Sequence, residues 1–175
     1  QDAFTLSQSA KELNKLLSGA KINKVSQPDK DDVYLLTYSS IGSKTLVLSS
    51  NAENCRISFI SKEKPNPKVA PNFCMLLRKH LLGASIEKIE LMGTERIIAI
   101  TFLCKNDFKD SVTKILYAEI MGKYSNLILT EDGIIAARDA LGRTPIVIGK
   151  KDEGYAVTSE TTSLPNLDFK PIRDI

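Results

Sequence analysis

Val33-Tyr34-Leu35-Leu36-Thr37-Tyr38, then Ile41-Gly42-Ser43, then Lys44-Thr45-Leu46-Val47-Leu48-Ser49 is the stretch that decides the fold class of this chain. Two runs rich in branched and aromatic residues flank a glycine-bearing turn, which is the pattern of a β-hairpin. Working outward, similar runs occupy 21–26 and 56–61, separated by turn formers such as Pro28-Asp29-Lys30-Asp31. Residues 21–61 therefore read as an antiparallel meander. Strands resume at 85–91, 96–103, 113–121, 126–130 and 134–137. Two segments carry helical spacing instead. Leu6, Ala10, Leu13, Leu16 and Leu17 form one apolar stripe, with Thr5 or Ser7 as the cap and Gly19 as the stop. Pro71-Asn72-Phe73-Cys74-Met75-Leu76-Leu77-Arg78-Lys79-His80-Leu81 reads as the second helix, closed by Gly83 and burying Phe73, Leu76, Leu77 and Leu81. Between meander and second helix, the prolines and lysines of 62–71 predict an extended, solvated loop. Two helices against many short antiparallel strands give an α+β domain built on a β-sandwich or barrel. No internal repeat stands out at a fixed period.

The 175 residues suffice for one domain, or one and a small appendage. A hydrophobic content of 42% and a charged content of 26% are those of a globular chain. The net charge of +3 and pI of about 8.7 permit contact with a polyanion without demanding it. No window reaches the length of an apolar membrane span, and no charged leader precedes an apolar run. The chain begins at Gln1 without a methionine, which suggests trimming or tagging. Cys55, Cys74 and Cys104 are widely spaced, with no C-x-x-C pair and a single histidine, so a closed zinc site is not expected. They read as small buried hydrophobes in a reducing compartment. Neither a phosphate-cradling glycine loop nor a nucleophile elbow occurs, so neither a cofactor nor a catalytic residue is expected.

Three places could carry binding chemistry. Arg78, Lys79 and His80 form a basic cluster late in the second helix, suited either to the negative end of the helix dipole or to a phosphate. Glu95 and Arg96 follow Gly93 at a hairpin turn, either as an exposed ion pair or as an arginine fork for phosphate with a carboxylate beside it. Met121-Gly122-Lys123-Tyr124-Ser125-Asn126 is a polar turn in which Lys123 supplies charge and Tyr124 a ring on which a base could stack, or simply a solvated turn.

Several strings also carry a resemblance. Glu12-Leu13-Asn14, Ile22-Asn23-Lys24, Gln27-Pro28, Leu46-Val47-Leu48-Ser49, Asn72 to Leu81, Gly93-Thr94-Glu95-Arg96-Ile97 and Glu119 to Leu129 resemble the N-terminal (NFACT-N) domain of the fibronectin-binding protein A family. That family includes ribosome-quality-control factors that add C-terminal tails to stalled nascent chains. The resemblance covers about 2–135. It implies a fold similar to the N-terminal domain of formamidopyrimidine-type DNA glycosylases, without their chemistry, because Gln1-Asp2 stands where those enzymes carry a proline nucleophile. It further implies a cytoplasmic RNA-binding module that contacts tRNA and the large ribosomal subunit, needing no cofactor, metal or membrane. The tRNA-contacting positions would be Asp2, Glu95 and Arg96, with Arg78, Lys79 and Lys123 adding electrostatics. Glu95 stands where the family carries aspartate, and Gln1-Asp2-Ala3 where it carries "FDG". The family's helix-hairpin-helix, coiled-coil and C-terminal segments are not in this sequence, so it reads as a fragment or isolated module. Its older name gives an alternative, a fibronectin- or fibrinogen-binding adhesin. Residues 136–175 read as a divergent β tail. Arg138 to Gly149 and Tyr155 to Glu160 resemble a segment of class II glutamine amidotransferases, a second alternative as a fragment lacking the catalytic cysteine.

Overall fold

A computed structural model describes the backbone of residues 2–93, 95–131, 133–134, 147–151, 154–158 and 170–174, and side chains as far as 130. Helix α1 (Ala3–Leu17) opens the chain, followed by strands β1 (Lys21–Ser26), β2 (Asp32–Ser39), β3 (Gly42–Ser49) and β4 (Arg56–Ile60). Helix α2 (Asn72–Leu81) begins a second series: β5 (Ser85–Leu91), β6 (Ile97–Lys105), β7 (Ser111–Glu119), β8 (Asn126–Glu131) and the short β9 (Gly133–Ile134). Between β7 and β8 lies a single 3₁₀ turn, η1 (Gly122–Tyr124). The nine strands make one antiparallel sheet in the order β4-β3-β2-β1-β5-β6-β7-β8-β9. The expected α+β sandwich is thus what the chain forms. Strands β10 (Val147–Lys151), β11 (Gly154–Thr158) and β12 (Lys170–Asp174) pair in a separate sheet. Arg138 and most of the predicted strand at 134–137 lie outside the described residues.

The sheet is two meanders joined at one seam, where Lys21 opposes Ser85. Backbone bonds across the seam come in equivalent pairs. Gly19 N–H donates to Ile86 O (2.7 Å) and Gly83 N–H to Ile22 O (2.9 Å); Ile86 N–H donates to Ala20 O and Ile22 N–H to Ala84 O. Both glycines leave their helix at positive φ, +84° and +77°, where a Cβ would crowd the backbone. The β-bulges repeat too, between Ile22 and Lys24 in β1 and between Ile86 and Lys88 in β5. An internal repeat is therefore present although none was legible as a sequence period. Its identities are scattered around the corner, at Leu13/Leu77, Lys15/Lys79, Leu17/Leu81, Gly19/Gly83, Ala20/Ala84, Ile22/Ile86 and Lys24/Lys88, too few and too spread to stand out as a period.

The helices are exchanged between the halves: α1 packs on β5 and α2 on β1. Each inserts one polar side chain beside the opposite bulge. Asn14 Oδ1 accepts from Ile89 N–H (2.8 Å), and Arg78 Nε donates to Val25 O (2.8 Å). Cys74 Sγ also lies on Val25 O at 3.8 Å. These two contacts roll α2 so that Cys74, Leu77 and Leu81 are buried, leaving the expected core residues Phe73 and Leu76 only half-buried. In α1, Leu6, Ala10, Leu13 and Leu17 are buried as their spacing predicts. The cap is neither Thr5 nor Ser7 but Asp2, whose carboxylate accepts from Thr5 N–H at 2.7 Å. One core cluster draws on both meanders and both helices, with Phe102 its largest fully buried side chain.

Residues 61–69 are exposed as expected, yet not adrift. Glu63 accepts from Thr45 Oγ1 (2.9 Å) and pairs with Lys24. Lys64 lies between Asp29 (2.6 Å) and Asp32 (2.7 Å), so the strap joining the halves is clasped to the first meander.

Candidate nucleic-acid interface

Four turns meet at the end of the sandwich away from the seam, and backbone bonds hold them in register. Arg96 O accepts from Ile120 N–H (2.8 Å), joining the β5–β6 turn to the residues before η1. Gly122 N–H donates to Cys55 Sγ (3.3 Å), joining η1 to the β3–β4 loop. Asn51 Nδ2 of that loop donates to Asp31 Oδ2 (3.1 Å) in the β1–β2 turn.

Within the β5–β6 turn, Met92 N–H donates to Ile97 O (2.8 Å) and Glu95 N–H to Met92 O (3.2 Å), with Gly93 at φ +57°. The turn is closed by its backbone, so the exposed side chains of Glu95 and Arg96 are released from structural work. Among the described residues neither makes a hydrogen bond or ion pair. In η1, Gly122 sits at φ +63°, Ser125 N–H donates to Gly122 O (3.0 Å) and Ser125 Oγ accepts from Met121 N–H (2.9 Å). This fixes Lys123 and Tyr124 at the surface, with the ammonium 5.0 Å from the ring centroid.

Helix α1 runs antiparallel to β5, since Ser18 Oγ reaches Glu87 O while Asn14 reaches Ile89. Fifteen helical residues span about 22 Å and seven strand residues about 23 Å, so Asp2 at the head of α1 stands level with the β5–β6 turn. Three of the proposed contacts, Asp2, Glu95 and Arg96, thus share one end with Lys123. The hydrogen bond from Thr5 N–H holds the Asp2 carboxyl below its usual range and keeps it ionised. Arg78 and Lys79 are placed elsewhere. Arg78 is half-buried with its Nε committed to Val25, and Lys79 stands exposed on the last turn of α2, at the seam end of β5.

Sequence reasoning missed three groups at this end. The β1–β2 turn is a closed acidic clasp: Asp29 Oδ1 accepts from Asp31 and Asp32 N–H (3.0 and 2.9 Å), and Asp32 Oδ1 from Ser49 Oγ (2.5 Å). Burial pushes the Asp29 carboxyl up, but the bonds from Lys64 and the two N–H groups outweigh it and hold it low. The same bonds to Asp29 and Asp32 raise the Lys64 ammonium. The signal available was the acidic run after Pro28, read only as a turn. Cys55 is half-buried; burial raises its thiol, and the Ser125 hydroxyl and Gly122 N–H more than reverse that. Glu119, opposite Ile97 in β7, is raised by burial. No group of three or more metal-ligating side chains assembles among the described residues.

This is a two-helix antiparallel sandwich that presents an arginine, a lysine and a tyrosine on mutually braced turns. The chain belongs to the family described as NFACT N-terminal and middle domains, which matches residues 2–142. It is 37% identical over 159 residues to the Rqc2 homolog RqcH of Bacillus subtilis, covering 91% of this chain and 26% of that protein. It therefore spans little more than a quarter of the RqcH relatives it matches. Among solved structures it is similar to the N-terminal domain of fibronectin-binding protein PavA from Streptococcus pneumoniae (TM-score 0.73, 33% identity, 79% of this chain and 56% of that one). It is also similar to the N-terminal part of the fibronectin/fibrinogen-binding protein of Streptococcus suis (TM-score 0.74, 36% identity, 77% and 52%). An amidophosphoribosyltransferase of Methanocaldococcus jannaschii matches at 26% identity over 148 residues, 79% of this chain and 29% of that protein. The family match and the RqcH match cover the same part of the chain. No helix is long and apolar enough to cross a membrane among the described residues.

Proposed function

We propose that this chain is an RNA-binding module of ribosome-associated quality control, acting in the cytoplasm without chemistry of its own and contacting tRNA and the large ribosomal subunit. The observation that carries this reading is the β5–β6 turn. Its backbone satisfies itself, and it leaves the Arg96 guanidinium exposed at the end of the sandwich that also carries Asp2 and Lys123. An unengaged guanidinium fork suits phosphate oxygens, and the neighbouring carboxylate can accept from a base amino group. Lys79 and Arg78 would serve a second, seam-side contact, through the charge Arg78 retains and the exposed ammonium of Lys79.

The test is tRNA retention by wild type, Arg96→Ala and a protein of matched charge. Arg96→Ala should bind about tenfold more weakly or worse, and wild-type affinity should fall steeply with salt. Wild-type retention no better than the control defeats the reading; equal binding by Arg96→Ala defeats the site. The likeness to the fibronectin-binding protein PavA and to the fibronectin/fibrinogen-binding protein of Streptococcus suis supports a second reading, a fibronectin- or fibrinogen-binding surface. Retention of fibronectin at physiological salt, unaffected by Arg96→Ala, would favour it.

A further inference from the structure

We propose that Tyr124 is the reading element of this interface, stacking on an unpaired base of the RNA that Arg96 and Lys123 hold by its backbone. The inference rests on the RNA-binding reading above and says which part of an RNA the site takes.

Comparing the two halves of the sandwich points to Tyr124. The β1–β2 turn and the β5–β6 turn occupy equivalent places, and each passes one bond to the following hairpin: Ser50 N–H to Asp31 O in the first half, Ile120 N–H to Arg96 O in the second. Their side chains are used in opposite ways. In the first half the three carboxylates are engaged internally, Asp29 and Asp32 on Lys64 and Asp31 on the Asn51 amide. In the second half Glu95, Arg96, Lys123 and Tyr124 all face solvent. A tyrosine 70% exposed on a turn of three residues covers no core and fills no gap. Tyr124 N–H instead donates to Met121 O, and the flanking Ser125 side chain and the Cys55–Gly122 bond brace the turn from both sides. The ring is held on rigid backbone, so little backbone order remains to be lost on binding.

The ring carries the Lys123 ammonium near its centroid. A cation at one place on a ring leaves the rest of the π surface for a base, and the same ammonium can lie against the adjoining phosphate. A base inside a duplex has both faces occupied by its neighbours, so only an unpaired one can add this stack. The Tyr124 hydroxyl takes no part in stacking, and this makes a sharp distinction between substitutions.

The experiment measures binding of a labelled single-stranded oligoadenylate of about eight nucleotides, a duplex of equal charge, and tRNA. Wild type, Tyr124→Ala, Tyr124→Phe and Arg96→Ala are compared, with the unfolding midpoint of each as the check on folding. Tyr124→Ala should weaken single-strand binding roughly ten- to hundredfold and duplex binding less than about twofold, with Tyr124→Phe close to wild type. Equal single-strand binding by Tyr124→Ala and wild type overturns the inference, while loss in Arg96→Ala in the same series leaves the RNA-binding reading standing. Equal losses on single strand and duplex overturn it as well, since a stack would not act on both. Loss of fibronectin retention by Tyr124→Ala with RNA binding intact would assign the ring to a protein partner instead. Wild type that binds no RNA removes this inference together with the reading beneath it.

Discussion

Lys64 sets one ammonium against two carboxylates, Asp29 and the nearly buried Asp32. Removing the ammonium strands Asp32 with Ser49 as its remaining side-chain partner. Lys64→Met should therefore cost about 1–3 kcal/mol in denaturant unfolding. Because Asp29 is held below its unfolded value, the clasp contributes fully above that value and is lost as pH falls through the depressed one. The deficit of Lys64→Met should accordingly shrink in strong acid. Glu119 has the opposite sign. Burial raises its carboxyl, so the folded state binds the proton more tightly than the unfolded chain does. Stability is lost as pH rises from the unfolded value through the raised one. Glu119→Gln should show a higher unfolding midpoint than wild type at neutral pH, and the gap should close near about pH 3. Neither effect was legible in the sequence, since a carboxylate's neighbours across a sheet depend on strand register, and a run such as Pro28-Asp29-Lys30-Asp31 announces a turn without naming Lys64 as its partner.

The elements themselves were legible where local chemistry decides them. The apolar stripe of α1 and the meander 21–61 came from spacing alone, and the strands through β8 differ from expectation only at their ends, while β12 was not expected as a strand. What spacing could not give was the roll of α2, because its buried face was set by Cys74 and Arg78 seeking one carbonyl in β1. The α1 cap was missed for a related reason: a capping carboxylate is recognised by the N–H it reaches, and three hydroxyl or acidic residues competed for the position. The two helix-to-strand corners offer a direct test. Gly19 and Gly83 have positive φ and open space where a Cβ would lie, so alanine meets only the backbone penalty. Gly19→Ala and Gly83→Ala should each cost about 1–2 kcal/mol, equal within error, as read from chemical denaturation. A large inequality would mean that the corners are not equivalent.

Across the whole molecule, the sandwich was expected from the run of strands, but the exchange of helices was not, since nothing in either half's sequence says which sheet its helix will cover. That exchange should make unfolding a single cooperative event. A peptide of residues 2–62 would carry the apolar face of α1 without β5 to receive it, and should stay unfolded by circular dichroism until mixed with its complement. The interface end was half legible: Glu95-Arg96 and Lys123-Tyr124 stood out as polar turns, whereas the backbone bonds that bring them together are long-range and carry no sequence signature. The seam also bears on ancestry. A half-length chain of this design would leave its own first strand bare and offer its helix to another copy, so it could close only as a two-fold homodimer. Duplicating and joining the gene through the strap at 61–70 would convert that encounter between molecules into one within a chain. It would also free the two copies of each turn to diverge, one sealed by Lys64 and the other left with its side chains exposed.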